Sequence, residues 1–196
     1  MAIFEPGICN AWLLSLPFFA LGVVSMGIKK EIAGRMSDMT GYGAKEKSIT
    51  VAASLAPYPF MLATVWTPFA ATRPLLSLGL LLYVIGMALF ASTLRVIIQT
   101  PHDQPFSSGI YRLSRNPLYV AATIVFVGIC LATANPVLAG YLAIVVLLQH
   151  FMILAEERIC REKYGIAFES YMKRVPRYFK INLLDGFPGG RTKPYP

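Results

Sequence analysis

The chain has 196 residues, of which 56% are hydrophobic and only 14% are charged, and its formal net charge is +8. Its mean hydropathy of +0.57 lies outside the range of soluble globular domains. This composition excludes an ordinary water-soluble enzyme and indicates one integral membrane domain over residues 1–196. The basic residues lie between apolar runs and in the tail, which indicates contact with membrane lipids rather than with nucleic acid.

Five apolar segments that contain no Lys, Arg, Asp or Glu are long enough, or nearly long enough, to cross a bilayer as helices. They cover residues 8–28, 49–71, 75–94, 118–134 and 137–155. We expect an all-α polytopic membrane protein, and residues 8–28 lack the pattern of a cleaved signal peptide. Prolines inside the first two segments predict kinks or local unwinding. They are Pro17, Pro57, Pro59 and Pro68.

The distribution of Lys and Arg predicts how the helices cross, because cytosolic loops are enriched in both residues. With the N-terminus outside, the inside segments 29–48, 95–117 and 156–196 carry five, three and nine of the 18 basic residues. Arg73 is the exception on the outside. We therefore expect five crossings, a cytosolic C-terminus and, in a prokaryotic cell, a place in the plasma membrane.

The fourth and fifth predicted helices are separated only by Asn135-Pro136 and therefore form a tight antiparallel hairpin. Both ends of such a hairpin return to the same face of the membrane. One end carries a polar turn, residues 115–119, and the other carries the carboxylate pair Glu156-Glu157. We predict that these two ends build one pocket at the bilayer surface.

The cytosolic tail, residues 156–196, is predicted to begin with two short helices. Ion pairs at i, i+4 spacing favour the first helix. These are Glu157 with Arg161 and Arg158 with Glu162. Gly165 suits a left-handed cap at its end, and residues 166–174 form a second helix that stops before Pro176. An aromatic stripe at helical spacing indicates that the tail packs on the membrane domain; it consists of Tyr164, Phe168 and Tyr171.

Polar and aromatic side chains at the two ends of the hairpin are chemically adequate to bind a cofactor, and interfacial anchoring explains the same residues. They are Gln99, His102, Asp103, Tyr111, Asn116, Tyr119, Glu156 and Glu157. His150 is costly to place in an apolar helix, which makes it a site candidate, and a hydrogen-bonded packing role fits it equally well.

Two other classes of site find no support in the sequence. Cys9, Cys130 and Cys160 are too widely spaced for a disulfide framework or a metal site, so no metal is expected. Gly41-Tyr42-Gly43 does not continue into a glycine-rich nucleotide-binding pattern. A soluble dinucleotide-binding methyltransferase or a nucleotide hydrolase is therefore excluded.

The motifs between residues 109 and 177 resemble those of the isoprenylcysteine carboxyl methyltransferases and the related phospholipid methyltransferases. They are Gly109-Ile110-Tyr111, Arg115-Asn116-Pro117-Leu118-Tyr119, Glu156-Glu157, Tyr164-Gly165, Tyr171 and Val175-Pro176-Arg177. One departure concerns Asn116, which stands where the family has a histidine. Asparagine exchanges hydrogen bonds but does not titrate near neutral pH, so proton transfer at this position is not expected.

The resemblance implies S-adenosyl-L-methionine as cofactor, with S-adenosyl-L-homocysteine as product. The implied cofactor-binding residues are Gln99, His102, Asp103, Gln104, Pro105, Phe106, Tyr111, Asn116, Pro117, Leu118, Tyr119, Glu156 and Glu157. Arg115 and Glu156 are the candidates for catalytic roles, Arg115 as an orienting or substrate-binding residue. His150 and Arg158 are the candidates for substrate binding.

The resemblance further implies methyl transfer to the C-terminal carboxylate of a prenylated cysteine, a lipid-linked substrate that enters from the bilayer. This acceptor is ionised at neutral pH and needs no general base. A phospholipid amine or a small thiol in the same pocket is the enzymatic alternative, and an amine would need a base such as Glu156, Glu157, His150 or water. A small membrane transporter is the non-enzymatic alternative, for which charges inside the membrane or paired repeats are typical.

Overall fold

The computed structural model describes residues 7–28, 34, 38–101 and 104–179, and this part of the chain is helical. The α-helices are α1 (Trp12–Ile28), α2 (Ala44–Leu55), α3 (Pro57–Thr64), α4 (Arg73–Gln99), α5 (Pro117–Thr133) and α6 (Pro136–Arg174). A 3-10 helix, η1, covers Gly109–Arg112. The described residues contain no β-sheet, and the predicted all-α class is confirmed for them.

Two of these helices, α4 and α6, are long and apolar enough to cross a bilayer. The helices α1 and α5 are also apolar but have 17 residues each, near the lower limit for spanning. In α6 the apolar part ends at Ala155, and charged residues follow from Glu156 onward. The five crossings expected from the sequence stay a prediction.

The single helix predicted over residues 49–71 is not formed, and α2 and α3 take its place. Pro57 and Pro59 have no N–H to donate to the preceding turn, so the helix breaks at Ala56. The Tyr141 hydroxyl donates to the Ala56 carbonyl oxygen at 3.0 Å and satisfies that group at the break. The predicted kink is therefore confirmed, whereas the predicted length of the helix is wrong.

The tight hairpin predicted at Asn135-Pro136 is confirmed. α5 ends at Thr133, and its C-cap residue Ala134 has a left-handed backbone with φ of 48°. The Asn135 side-chain oxygen then accepts hydrogen bonds from the backbone N–H groups of Val137 at 2.9 Å and Leu138 at 3.2 Å. These bonds cap the first turn of α6, whose N–H groups have no partner within the helix.

α4 and α5 pack against each other at backbone distance. A Cβ added at Gly79 would lie 2.6 Å from the Gly128 carbonyl oxygen, and one added at Gly128 would lie 2.6 Å from the Gly79 carbonyl oxygen. Only glycine permits such an approach. Buried phenylalanines join α1, α3, α4 and α5 into one core; they are Phe18, Phe60, Phe90 and Phe126.

α6 extends well beyond the bilayer segment predicted for it, because the first tail helix continues the membrane helix without a break. Gly165 interrupts it with φ of 52° and ψ of −131°, a conformation that favours glycine. The helix after Gly165 ends at Arg174. The predicted positions of the interruption and of the end are confirmed.

The segments predicted to lie inside meet at one end of the helical bundle. Glu46 of the first segment pairs with Arg158 of the tail, and Arg115 of the second pairs with Glu157. At the opposite end, the Asn10 side chain donates to the Val65 carbonyl oxygen at 2.9 Å. This grouping follows the charge distribution, while the side of the membrane that each end faces stays a prediction.

Candidate active site

Both ends of the α5–α6 hairpin meet at one place in the structure. The Tyr119 hydroxyl, in the first turn of α5, donates to Glu156 Oε1 at 2.6 Å. The Asn116 side-chain amide donates to Glu157 Oε1 at 3.0 Å. These contacts join the polar turn at the start of α5 to the carboxylate pair that follows the apolar part of α6.

The position of Asn116 follows from the proline after it. Pro117 occupies the first helical position of α5, where its missing N–H costs nothing, and Asn116 is the N-cap residue. Its side chain does not cap the helix. It donates instead to Glu157 and, at 3.3 Å, to the Arg177 carbonyl oxygen. Asn116 thus connects the turn both to α6 and to the segment after it.

Glu157 is the centre of a buried ion-pair network. Its side chain is 6% exposed and accepts from Arg115 Nε at 3.1 Å and from Arg177 Nη2 at 2.9 Å. The Arg115 side chain is 9% exposed, and its Nη1 donates to the carbonyl oxygens of Met172 and Val175 at 3.0 and 2.8 Å. Loss of one partner from such a buried network leaves a charge without compensation. The contacts of Arg115 favour a positioning role, in which it holds the tail against the turn.

A cavity of about 510 Å³ opens beside these residues. Its walls come from the 38–42 loop, the 105–119 region and the part of α6 that follows the apolar stretch. The lining residues are Gly34, Asp38, Met39, Thr40, Tyr42, Ile97, Pro105, Phe106, Tyr111, Arg115, Asn116, Leu118, Tyr119, Glu156, Glu157, Ile159, Cys160, Lys163, Tyr164, Phe168 and Tyr171. A cavity of this size is typical for a cofactor or another small molecule.

Most of the residues proposed from the sequence lie around this cavity. Those that line it are Pro105, Phe106, Tyr111, Arg115, Asn116, Leu118, Tyr119, Glu156 and Glu157. Gln99, Gln104 and Pro117 are not among the lining residues, and His102 and Asp103 lie outside the described part of the chain. The structure therefore brings together the core of the proposed site, and the binding role of each residue stays a prediction.

The two residues proposed for substrate binding lie elsewhere. His150 Nδ1 is 2.6 Å from the hydroxyl of Tyr178, and this pair joins the C-terminal segment to α6. Arg158 Nε donates to Glu46 Oε1 at 2.9 Å, and its Nη1 donates to Glu162 Oε1 at 2.7 Å. Neither side chain lines the cavity. The contacts of His150 with Tyr178 and of Arg158 with Glu46 join separate segments of the chain, and the substrate-binding roles stay predictions.

Most of the lining residues that sequence reasoning missed fall into two groups. The first lies in the loop before α2 and includes Thr40 and Tyr42. The sequence indicated this group only weakly, through the prediction that the loop lies on the same side of the membrane as the two ends of the hairpin. The second is the aromatic stripe Tyr164, Phe168 and Tyr171, which was assigned to packing. Phe168 and Tyr171 do pack together, and they form part of the cavity wall as well.

The walls of the cavity combine aromatic faces with carboxylates. The rings of Phe106 and Tyr111 lie 5.4 Å apart at 30°, and Tyr111 is buried. Glu156 faces the same space with the Tyr119 hydroxyl as its partner. Aromatic faces bind flat rings and cations, and carboxylates bind cations. The cavity therefore suits a ligand that carries an aromatic base and a positive centre.

Residues 74–167 match the family model described as phospholipid methyltransferase. The matched stretch begins in α4 and ends in α6 just past Gly165, and it includes the polar turn and the carboxylate pair. No curated protein and no solved structure matches the chain.

Proposed function

We propose that the chain is a member of the phospholipid methyltransferase family, whose model residues 74–167 match, and that it transfers a methyl group from S-adenosyl-L-methionine to a lipid-borne acceptor. The family match supports a membrane methyltransferase. The observation that carries the finer proposal is the shared cavity. Tyr119 and Glu156, from the two ends of the hairpin, face it together at the end of the apolar part of α6.

The residues around the cavity fit this cofactor. Phe106 and Tyr111 offer aromatic faces for an adenine ring, and Glu156 offers a carboxylate for a positive centre. When bound, S-adenosyl-L-methionine supplies an electrophilic methyl group on a sulfonium. Glu157, neutralised by Arg115 and Arg177, serves as the fixed support of the turn that carries Asn116 and Tyr119.

For the acceptor we propose the carboxylate of a prenylated cysteine or a closely similar lipid-linked acid. Lys163 lines the cavity, and the ion pairs between described residues do not include it, so its ammonium group can bind an anionic acceptor. The ionised carboxylate attacks without a base, and the chain's task is to hold it in line and keep water out. Apolar lining residues such as Ile97 and Leu118 exclude water from that space.

One observation favours a second candidate, the amine of a phospholipid headgroup. The Glu156 carboxylate faces the cavity with a hydroxyl as partner rather than a cation. A carboxylate in that position can accept a proton from an ammonium group, which must become neutral before it attacks. The small-thiol acceptor has no observation of this kind in its favour.

Methyl transfer by the purified protein separates the two acceptors. The protein in detergent is incubated with methyl-labelled S-adenosyl-L-methionine and either a prenylcysteine analogue or phosphatidylethanolamine. We expect label in the prenylcysteine product that base releases as volatile methanol, as an ester requires. Base-stable label in the phospholipid would assign the amine instead. Absence of transfer to either acceptor, in protein that keeps its fold, would contradict the proposed function.

A further inference from the structure

We propose that residues 38–46, named here the roof loop, form a ligand-binding wall of the cavity, with Tyr42 as a binding residue and Arg158 as its positioning residue. This inference rests on the proposed function and adds to it. The roof loop lies outside residues 74–167, so the family match does not cover it.

The roof loop lies against α6 and faces the cavity. Asp38, Met39, Thr40 and Tyr42 all line the cavity. Gly41 has a positive φ of 83°, and a Cβ added there would lie 3.0 Å from Ile159 Cδ1. The turn therefore packs directly on α6 at a position where glycine is favoured by conformation and by space.

Arg158 holds the roof loop at two separate points. Its Nε donates to Glu46 Oε1 at 2.9 Å, and its Nη2 donates to the Gly41 carbonyl oxygen at 3.0 Å. Glu46 also accepts from the Gly43 backbone N–H at 2.8 Å, which fixes the entry of the loop into α2. One planar guanidinium thus sets both the turn at Gly41 and the start of α2, which a lysine ammonium would not reproduce.

The bonds from Arg158 to Gly41 and Glu46 position Tyr42 at the cavity. Tyr42 is partly buried in the cavity wall. Burial, followed by the nearby Glu156 carboxylate, raises the pKa of the Tyr42 hydroxyl. The phenol therefore stays protonated at neutral pH and can donate a hydrogen bond to a ligand in the cavity.

The arrangement can be tested with a double-mutant cycle in the full-length protein. Glu46→Gln and Arg158→Gln each remove the ion pair, and the double variant removes both partners. Glu162→Gln is the matched control, because it removes the other carboxylate bound to Arg158 and leaves the roof loop contact intact. Two readouts are used: calorimetric affinity for S-adenosyl-L-homocysteine, and the alkylation rate of Cys160, a cavity-lining thiol, followed by peptide mass spectrometry.

We expect each single variant at the roof loop contact to weaken product binding by about tenfold and to speed Cys160 alkylation several-fold. In both readouts the double variant should be no more affected than the more affected of the two single variants. Glu162→Gln should match the wild type. Tyr42→Phe should weaken binding without a change in Cys160 alkylation, since the loop stays in place. Thermal unfolding midpoints close to wild type show that the fold is kept.

Additive effects in the double variant, or single variants that behave like Glu162→Gln in both readouts, would overturn the proposal. If the wild-type protein binds no S-adenosyl-L-homocysteine, the proposed function fails. In that case Cys160 alkylation alone decides whether Arg158 holds the roof loop, so the two failures can be told apart.

Discussion

The Tyr119 hydroxyl donates a hydrogen bond of 2.6 Å to Glu156 Oε1, across 37 positions of sequence. It links the first turn of α5 to the residue that follows the apolar part of α6. The contact exists because a two-residue turn at Asn135 folds the two helices back on each other. A carboxylate held in this way is already oriented when a ligand enters the cavity.

Glu156→Gln keeps the size of the side chain and removes its charge. We expect kcat/KM for methyl transfer to fall by about 100-fold, and Tyr119→Phe to lower it by about tenfold, because only the orienting bond is lost. Steady-state transfer of labelled methyl groups measures both. Tyr141→Phe is the control, since its hydroxyl also bonds a single partner but lies at the α2–α3 break. A control variant as impaired as Tyr119→Phe would argue against a site at Glu156.

Arg115→Lys tests the buried network around Glu157. Lysine keeps the charge but cannot serve Glu157 and two carbonyl groups together, so we expect a loss of about 2–4 kcal/mol in the free energy of unfolding. Denaturant unfolding in detergent measures it. Arg112→Lys changes an exposed arginine of the same region and should cost little. Equal effects of the two substitutions would show that the network does not hold the tail in place.

The features that the sequence predicted well are those with a local cause. The hairpin follows from Asn135-Pro136, and the interruption of α6 follows from Gly165, because each residue dictates its own backbone. The predicted length of the helix over residues 49–71 was wrong, although kinks at Pro57 and Pro59 were predicted, because apolar composition does not show whether a proline bends a helix or ends it. Tyr42 was missed because its place depends on the bond from Arg158 to the neighbouring Gly41, 117 positions away in the chain, and pairing over such separations has no local signature.

The approach of α4 to α5 predicts opposite effects for two glycine substitutions. Gly79→Ala puts a Cβ 2.6 Å from the Gly128 carbonyl oxygen, and we expect it to lower the free energy of unfolding by about 2 kcal/mol. Gly140→Ala, in α6, meets no atom within 4 Å and should be neutral or stabilising by up to about 1 kcal/mol. Denaturant unfolding measures both changes in the free energy of unfolding. A stable Gly79→Ala variant would mean that the two helices do not pack at backbone distance.

The roof loop should loosen at low pH. The side-chain hydrogen bond from Arg158, followed by the Gly43 N–H, lowers the pKa of the Glu46 carboxyl from its ordinary value of 4.5. The contribution of this contact is therefore complete above pH 4.5 and is lost as the pH falls through the lowered pKa. Hydrogen exchange of residues 38–46, corrected for the intrinsic rate, should show protection that disappears in that window. Glu46→Gln should remove the transition, and a transition that persists in this variant would assign it to another group.

A structure of the protein with S-adenosyl-L-homocysteine bound tests the shared cavity most directly. Density for the product is expected in the 510 Å³ space, in contact with the α5 turn at Asn116 or Tyr119 and with Glu156 of α6. Product density at another place on the molecule, or in contact with one end of the hairpin only, would contradict a methyl-donor site built jointly by the two ends.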